Sequence, residues 1–301
     1  MDLFEKRPLA PMLIGVECEA FDSPDYLYEL KLDGIRCLAY LDPSGTVELL
    51  NKRGILVSQI YPELSGIYKQ VKGRCILDGE ISILIDGKTE FSAIQRRALM
   101  SNRTKIQMAA DIQPVNFTAF DLLYLDGREL MDEPIEARKE LLRKTVSDSS
   151  LLAVSRVIED HGIALFDLTT QRGLEGIVAK RKGSRYHPGK RTKEWIKCKN
   201  LKDDDFIILG YTDDDSFSVI LGEIQEGHLQ YLGHVSTGIS ATERKMILSA
   251  DRRSSPPCAV PNDSADVTWI KPGLMCTVRY MERTASGSLR QPVFKSLRTD
   301  I

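Results

Sequence analysis

YELKLDGIRC, residues 28–37, sets Lys31 between an apolar, strand-like run and an Asp-Gly pair, with Arg36 three residues beyond Asp33. Aspartate followed by glycine is a strong short signal for a hairpin turn, so the plain reading is a surface lysine entering such a turn. K-x-D-G by itself carries little weight. Short strand-like segments surround it: LYEL, RCLAYLD, TVELLN, CILDGEISILI, VNFTAFDLLYLDG and EGIVAKR. Helical stretches interrupt them as PELSGIYKQV, FSAIQRRALM and PIEARKELLRKTV, the last opened by Pro134. Strands that follow one another closely favour antiparallel pairing, so antiparallel sheets flanked by helices are expected from about Tyr28 to Asn200, an α+β class.

After Lys202 the texture changes. DFIILGYT, SFSVILGEI and LQYLGHV predict three strands, SATERKMILSA a helix, and MCTVRYMER with PVFKSL two more strands. Three strands, a helix and two strands is the order of an OB-fold β-barrel. DRRSSPPCAVPNDSAD reads as a surface loop within this second domain. The expected boundaries are therefore 1–200 and 201–301.

The 301 residues are 42% hydrophobic and 28% charged, ordinary globular values. The N-terminus has no long apolar segment, and no apolar run approaches the length of a membrane span, so a cytoplasmic protein without membrane attachment is expected. Six cysteines occur without a C-x-x-C pair and predict reduced thiols rather than zinc ligands or disulfides. The four histidines, His187 among them, show no ligand spacing and read as surface residues. Net charge is -2, yet Lys180 to Lys199 holds nine Lys or Arg against one Glu. A basic stripe on a nearly neutral chain marks either a solvated loop or a local polyanion site.

A lysine that attacks a nucleotide phosphate needs cations for the phosphates, carboxylates for a metal and an aromatic face for the base. Each occurs in order: Lys52 and Arg53 in LLNKRG, Asp78 and Glu80 in LDGE, Phe120 in FDLLYLDG, Glu175 in EGIVAK, Lys197 and Lys199 in WIKCK, and finally LRQPVFKSLRTDI. This set resembles the six motifs of the covalent nucleotidyltransferases, and its wording is similar to ATP-dependent DNA ligases, nearest the ligase module of the bacterial end-joining ligases. The resemblance runs from Pro11 to the last residue. It implies an adenylyltransferase domain, ATP-grasp-like in its sheets and helices, followed by an OB domain, with no appended DNA-binding, polymerase or nuclease domain.

The resemblance also implies roles. Lys31 would form the lysyl-AMP, Glu29 would lie beside the adenine amino group, and Phe120 would cover the adenine face. Arg36 would contact the ribose and the nick, and Glu80 the ribose hydroxyl or a metal. Glu175 would bind that metal, Mg2+ with Mn2+ as an alternative, while Lys197 and Lys199 would hold the α-phosphate. Arg298 and Asp300 would engage pyrophosphate. Trp195, Asp33 and Asp78 are expected as structural supports. For DNA, the basic clusters nominate Arg96, Arg97, Arg103, Arg185, Lys190 and Arg191. The implied partners are nicked or broken duplex DNA and a Ku-like end-binding protein; a monomer associated with the bacterial nucleoid is expected.

These roles are physically coherent. At neutral pH only about one free lysine in 2,500 is uncharged, so neighbouring cations and metal must ease its deprotonation. Mg2+ takes hard oxygen ligands from one or two carboxylates together with phosphates and water. The second motif departs from the common Ser-Arg-Asn-Gly, since Asn51-Lys52-Arg53-Gly54 leaves open which cation serves the nick phosphate. The last motif ends Asp300-Ile301, where relatives often carry lysine. Rival readings are a GTP-dependent RNA capping enzyme or RNA ligase on the same fold, and a catalytically idle OB-containing nucleic-acid binder. An NAD-dependent ligase is disfavoured by the missing zinc-ligand cysteines.

Overall fold

The computed structural model describes residues 2–85, 87–214, 216–261, 266–284 and 287–298. Its contacts divide into two compact units, 1–200 and 201–301. Among the described residues no helix is long and apolar enough to cross a membrane.

The first unit holds two sheets. One is built from Leu13–Glu17 (β1), Tyr26–Leu30 (β2) and, further along the chain, Ile158–Glu159 (β11), Gly176–Arg181 (β12) and Arg191–Lys199 (β13), in the order β1-β13-β12-β2-β11. The other contains Ile35–Asp42 (β3), Thr46–Asn51 (β4), Cys75–Ser82 (β5), Asn116–Leu125 (β8) and Leu152–Val154 (β10), ordered β10-β8-β5-β3-β4. Arg128–Glu129 (β9) pairs with β8, and Leu84–Ile85 (β6) with Lys88–Thr89 (β7) makes a separate ribbon. Pairing is antiparallel except at β1–β13 and β10–β8.

The hairpin reading of YELKLDGIRC is corrected here. β2 and β3 belong to different sheets, and residues 31–34 carry the chain from one to the other. The Lys31 amide still donates to Gly176 O at 2.9 Å, so the lysine leaves the first sheet at a defined point. Gly34 is required at the other end, because a Cβ there would lie 2.2 Å from the Ile81 carbonyl oxygen. Met12, Leu38, Tyr40, Ile76, Leu123, Tyr186 and Trp195 form a buried cluster between the sheets. A second core lies on the far side of the β3–β5–β8 sheet, and the helix Gly162–Gln171 (α4) covers Tyr28 and Ile177.

The helices Phe91–Ala98 (α1) and Ile135–Thr145 (α3) lie where the sequence predicts them. PELSGIYKQV instead forms a 3-10 run over Pro62–Gln70, with Leu64 and Ile67 buried at a spacing of three; Ser65 and Gly66 lower its α preference. Arg103–Ile112 (α2) and α4 lie outside the predicted helices. So does the strand character of Arg191–Lys199, whose density of charge hid its alternation.

The second unit is a single sheet of Lys202–Asp213 (β14), Phe217–Gln225 (β15), His228–Val235 (β16), Met275–Tyr280 (β18) and Val293–Arg298 (β19), ordered β16-β15-β14-β18-β19, with Thr268–Trp269 (β17) on β14. The helix Ala241–Leu248 (α5) follows β16 and opens with a capping box in which Ser240 and Glu243 serve each other. This is the expected order of an OB-type domain, with its barrel open rather than closed. No ladder joins β16 to β19 among the described residues. The chain turns away after Val235, and the two ends meet where Phe294 N donates to Thr237 O at 2.9 Å and Thr237 Oγ1 to Pro292 O at 3.0 Å.

Candidate active site

A cleft opens where the two sheets of the first unit meet, and Glu29, Lys31, Arg36, Glu80, Phe120, Lys180 and Trp195 line it. Lys31 Nζ donates to Glu175 Oε2 at 2.7 Å. The lysine side chain is 20% exposed and that of Glu175 5%, so the amine is reachable while its acceptor is held inside. Glu175 owes its place to the start of β12. Gly176, at φ +136, passes so close to β13 that a Cβ would lie 2.1 Å from Cys198 O.

Arg36 forks onto Asp78 with two bonds of 2.6 Å, and Tyr186 Oη donates to the same carboxylate at 2.6 Å. Its guanidinium lies 4.6 Å from the centre of the Phe120 ring. Lys180 Nζ lies 4.5 Å from the centres of both Phe120 and Trp195, which stand edge to face. Two aromatic faces with cations beside them suit a planar base and its phosphates. Trp195 is thus a wall of the cleft, whereas Asp78 is the support the sequence suggests.

Glu29 is buried. Its Oε1 is ion-paired with Lys180 at 2.9 Å and with Lys139 on α3, and neither of its oxygens has a hydrogen bond of good geometry among the described residues. Burial pushes the Glu29 carboxyl up, but Lys139 and Lys180 outweigh it and hold the group below the usual value. Lys197 and Lys199 face Glu17 on β1, at 2.9 and 3.4 Å. Burial raises the Glu17 carboxyl and the two lysines more than reverse this.

Glu17, Lys139 and the role of Lys180 escape a reading by sequence. Lys139 left one signal: it occupies the buried stripe of α3, four residues after Ile135 and three before Leu142. Lys180 follows Val178 by two residues, so strand alternation turns both toward the cleft.

Other predicted residues lie elsewhere. Lys52 and Arg53 are exposed in the turn after β4 and do not line the cleft; Asn51 Oδ1 accepts from Arg53 N at 2.9 Å and closes that turn. Arg96, Arg103, Arg185, Lys190 and Arg191 are exposed. Arg97 is corrected: it is buried, donates to Ile60 O at 2.9 Å and forks onto Glu63 at 2.8 and 2.9 Å, so it ties α1 to the 3-10 run and cannot touch DNA. Arg298 ion-pairs with Asp205 within the second unit, and Asp300 lies outside the described residues.

Glu175 accepts from Lys31, and Glu80 lines the same cleft. Among the described residues no group of three acids, histidines or cysteines could cage a metal. Two carboxylates fit Mg2+ that completes its shell with phosphate oxygens and water. Burial pushes the Glu80 carboxyl up to about 8; Arg36 and Lys31 pull it down, and Glu175 and Asp78 push it further up. Burial is thus the leading reason that the carboxyl holds its proton.

A pH dependence follows. The folded chain keeps a proton on Glu80 that the unfolded chain loses near the ordinary value of 4.5, so this group subtracts stability as pH rises from there to about 8. Glu80→Gln is expected to raise the melting temperature at pH 8, where the penalty is on the order of a few kcal/mol, and to change it little at pH 4.5. Calorimetry at both pH values checks this; equal shifts would remove Glu80 as the source.

Comparison with known proteins is decisive at this point. The family profile described as ATP dependent DNA ligase domain matches residues 11–199, and that of the ATP dependent DNA ligase C terminal region matches 213–301. The chain belongs to the ATP-dependent DNA ligase family. The multifunctional non-homologous end joining DNA repair protein LigD of Mycobacterium tuberculosis is 33% identical to this ligase-family chain over 99% of the chain and 39% of its own length. The chain thus spans about two-fifths of that relative. DNA ligase C1 of Mycolicibacterium smegmatis is 30% identical over 93% of the chain and 85% of its own length. The crystal structure of the ligase domain of Mycobacterium tuberculosis LigD superposes with a TM-score of 0.59 at 30% identity, covering 100% of this chain and 97% of that one. A mycobacterial DNA ligase D complexed with ATP and MES gives 0.60 at 32%, with the same coverage. The family and the α+β class expected from the motifs are thereby borne out.

Proposed function

We propose that this chain is an ATP-dependent DNA ligase that seals 5'-phosphate and 3'-hydroxyl ends in duplex DNA. The observation that carries the reading is Lys31, a reachable amine 2.7 Å from Glu175 at the mouth of a cleft walled by Phe120, Trp195, Lys180 and Glu29. Lys31 attacks the α-phosphorus of ATP and expels pyrophosphate. AMP then passes from Lys31 to the 5'-phosphate of the break, and the adjacent 3'-hydroxyl displaces it.

The residues divide this work. Phe120 and Trp195 hold the base, with Glu29 at its amino edge. Lys197 and Lys199 exchange Glu17 for the α-phosphate, and Arg36, fixed by Asp78, serves the ribose and the nick. Glu175 and Glu80 are the residues that would hold Mg2+, or Mn2+ in its place, and such an ion would supply charge neutralisation for the displacement. Either exposed cation of the β4 turn, Lys52 or Arg53, serves the nick phosphate. The first domain, 1–200, carries the nucleotide chemistry; the OB domain, 201–301, contributes Arg298 and Asp300 to pyrophosphate departure.

The end-joining names of the relatives support broken duplex DNA as the substrate; a Ku-like end-binding partner and a monomer working at the bacterial nucleoid complete the proposal. Incubation with α-labelled ATP, GTP and NAD in separate tubes tests the cofactor: label from ATP alone, bound to protein and released by acid, is expected. Label from GTP alone would replace the ligase reading with the capping one. For DNA, charge removal at Arg185, Lys190 and Arg191 is expected to flatten the salt dependence of nick binding by a slope of up to about 3, since each phosphate contact contributes about one. Binding assays at several salt concentrations read this, and an unaltered slope would put the DNA on another surface.

A further inference from the structure

Glu29 is held in an unusual way. Two buried ammonium groups, from Lys139 and Lys180, ion-pair with the same oxygen, Oε1, yet among the described residues neither Glu29 oxygen has a hydrogen bond of good geometry, so Oε2 is buried with neither an ion-paired cation nor a hydrogen-bond partner. One cation suffices to neutralise one carboxylate, and Lys180 is already in place, packed on the faces of Phe120 and Trp195. A second buried lysine adds a desolvation cost. That cost is visible in Lys139 itself, whose ammonium burial pushes down to about 8 against the pull of Glu29.

What the second lysine adds is orientation. The terminal torsion of a glutamate is broad and two-fold, so a carboxylate held from one side swings. Lys139 comes from α3 and Lys180 from β12, and two ion pairs on Oε1 from separate elements restrict the swing of the group. Oε2 is then a fixed acceptor at the wall of the cleft. An acceptor there welcomes the 6-amino group of adenine and opposes the 6-oxo group of guanine.

We propose that Lys139 is a positioning residue for nucleobase selection, acting through Glu29, an inference that rests on the ATP reading above. It makes Lys139 a determinant of base identity rather than of phosphate chemistry. Specificity of this kind arises when a buried polar atom is satisfied by one base and stranded by another.

The test uses the full chain, wild type and Lys139→Met, with label transfer to protein from ATP and from the purine ribonucleoside triphosphate that lacks the 6-amino group. Wild type is expected to favour ATP. Lys139→Met is expected to raise KM for ATP about tenfold, with kcat and both constants for the amino-less nucleotide within about threefold of wild type. Lys139→Arg, which keeps the charge, is expected to recover most of the preference. Equal losses with both nucleotides would make Lys139 an ordinary support of the fold and overturn the inference; so would a wild type indifferent to the amino group. Absence of any wild-type adduct from ATP is a different result, which refutes the ligase reading itself. Should Lys139→Met fail to fold, Lys139→Gln, which retains a donor toward Glu29 without the charge, is read by the same ratio.

Discussion

Lys31→Ala is expected to reduce transfer of label from α-labelled ATP to the protein by at least about three orders of magnitude, the scale on which removal of a nucleophile acts. The fold should survive. Lys31 lies just beyond the end of β2, and its one ladder bond, from its amide to Gly176 O, does not involve the side chain. Removing the ammonium does leave Glu175 buried without the cation at 2.7 Å, so some loss of stability accompanies the loss of chemistry. Lys31→Arg separates the two effects. A guanidinium can still donate to Glu175, but it stays protonated at all working pH values and cannot attack phosphorus. The arginine variant should therefore melt close to wild type and form no adduct. An adduct at wild-type level in either variant would show that another residue is the nucleophile.

Asp121→Ala is expected to cost about 3–5 kcal/mol, the usual penalty for stranding one member of a buried pair. Asp121 and Arg138 both have fully buried side chains and share bonds of 2.8 and 2.9 Å. Burial pushes the Asp121 carboxyl up, and Arg138 more than offsets this, leaving it below the ordinary value. Arg138 also donates to the carbonyl oxygens of Glu133, at 2.6 Å, and Ser184, at 3.0 Å. It therefore joins β8, α3 and the loop after β12 in one knot behind the cleft. For a unit of this size the loss corresponds to a melting temperature lower by roughly 6 to 20 °C. Urea unfolding of Asp121→Ala, and of the double variant Asp121→Leu with Arg138→Met, measures it. The double variant should be more stable than the single one, because no charge is then left buried without its partner. A single variant within about 1 kcal/mol of wild type would mean that water reaches the arginine and the pair is not the tie described here.

Much of the cleft was legible along the chain. Glu29, Lys31, Arg36, Glu80 and Phe120 all line it, and each belongs to a short segment with a recognisable local pattern. Other features resisted for reasons that are physical. Arg96 and Arg97 are neighbours of the same type, yet a helix turns about 100° between them, so one meets solvent and the other meets Glu63. The basic run ending at Lys199 gave no sign of which cations turn inward, and in the structure Lys180 points to Glu29 while Lys197 and Lys199 face Glu17. The Asp-Gly pair promised a hairpin and instead bridges two sheets, because β2 finds its partners in β12 and β11 and β3 finds its own in β4 and β5.

By itself the sequence determined the kinds of group this protein carries, the periods of its strands and helices, and the order of its motifs, all of which depend on neighbours in the chain. Only the tertiary structure decided which cation faces which anion. Lys139 and Lys180 meet on Glu29 from positions 110 and 151 residues away, the differences 139 − 29 and 180 − 29. A charge leaves water only where an opposite charge or a polar partner is waiting for it, and that condition is met in space, by packing sheet on sheet, rather than along the chain.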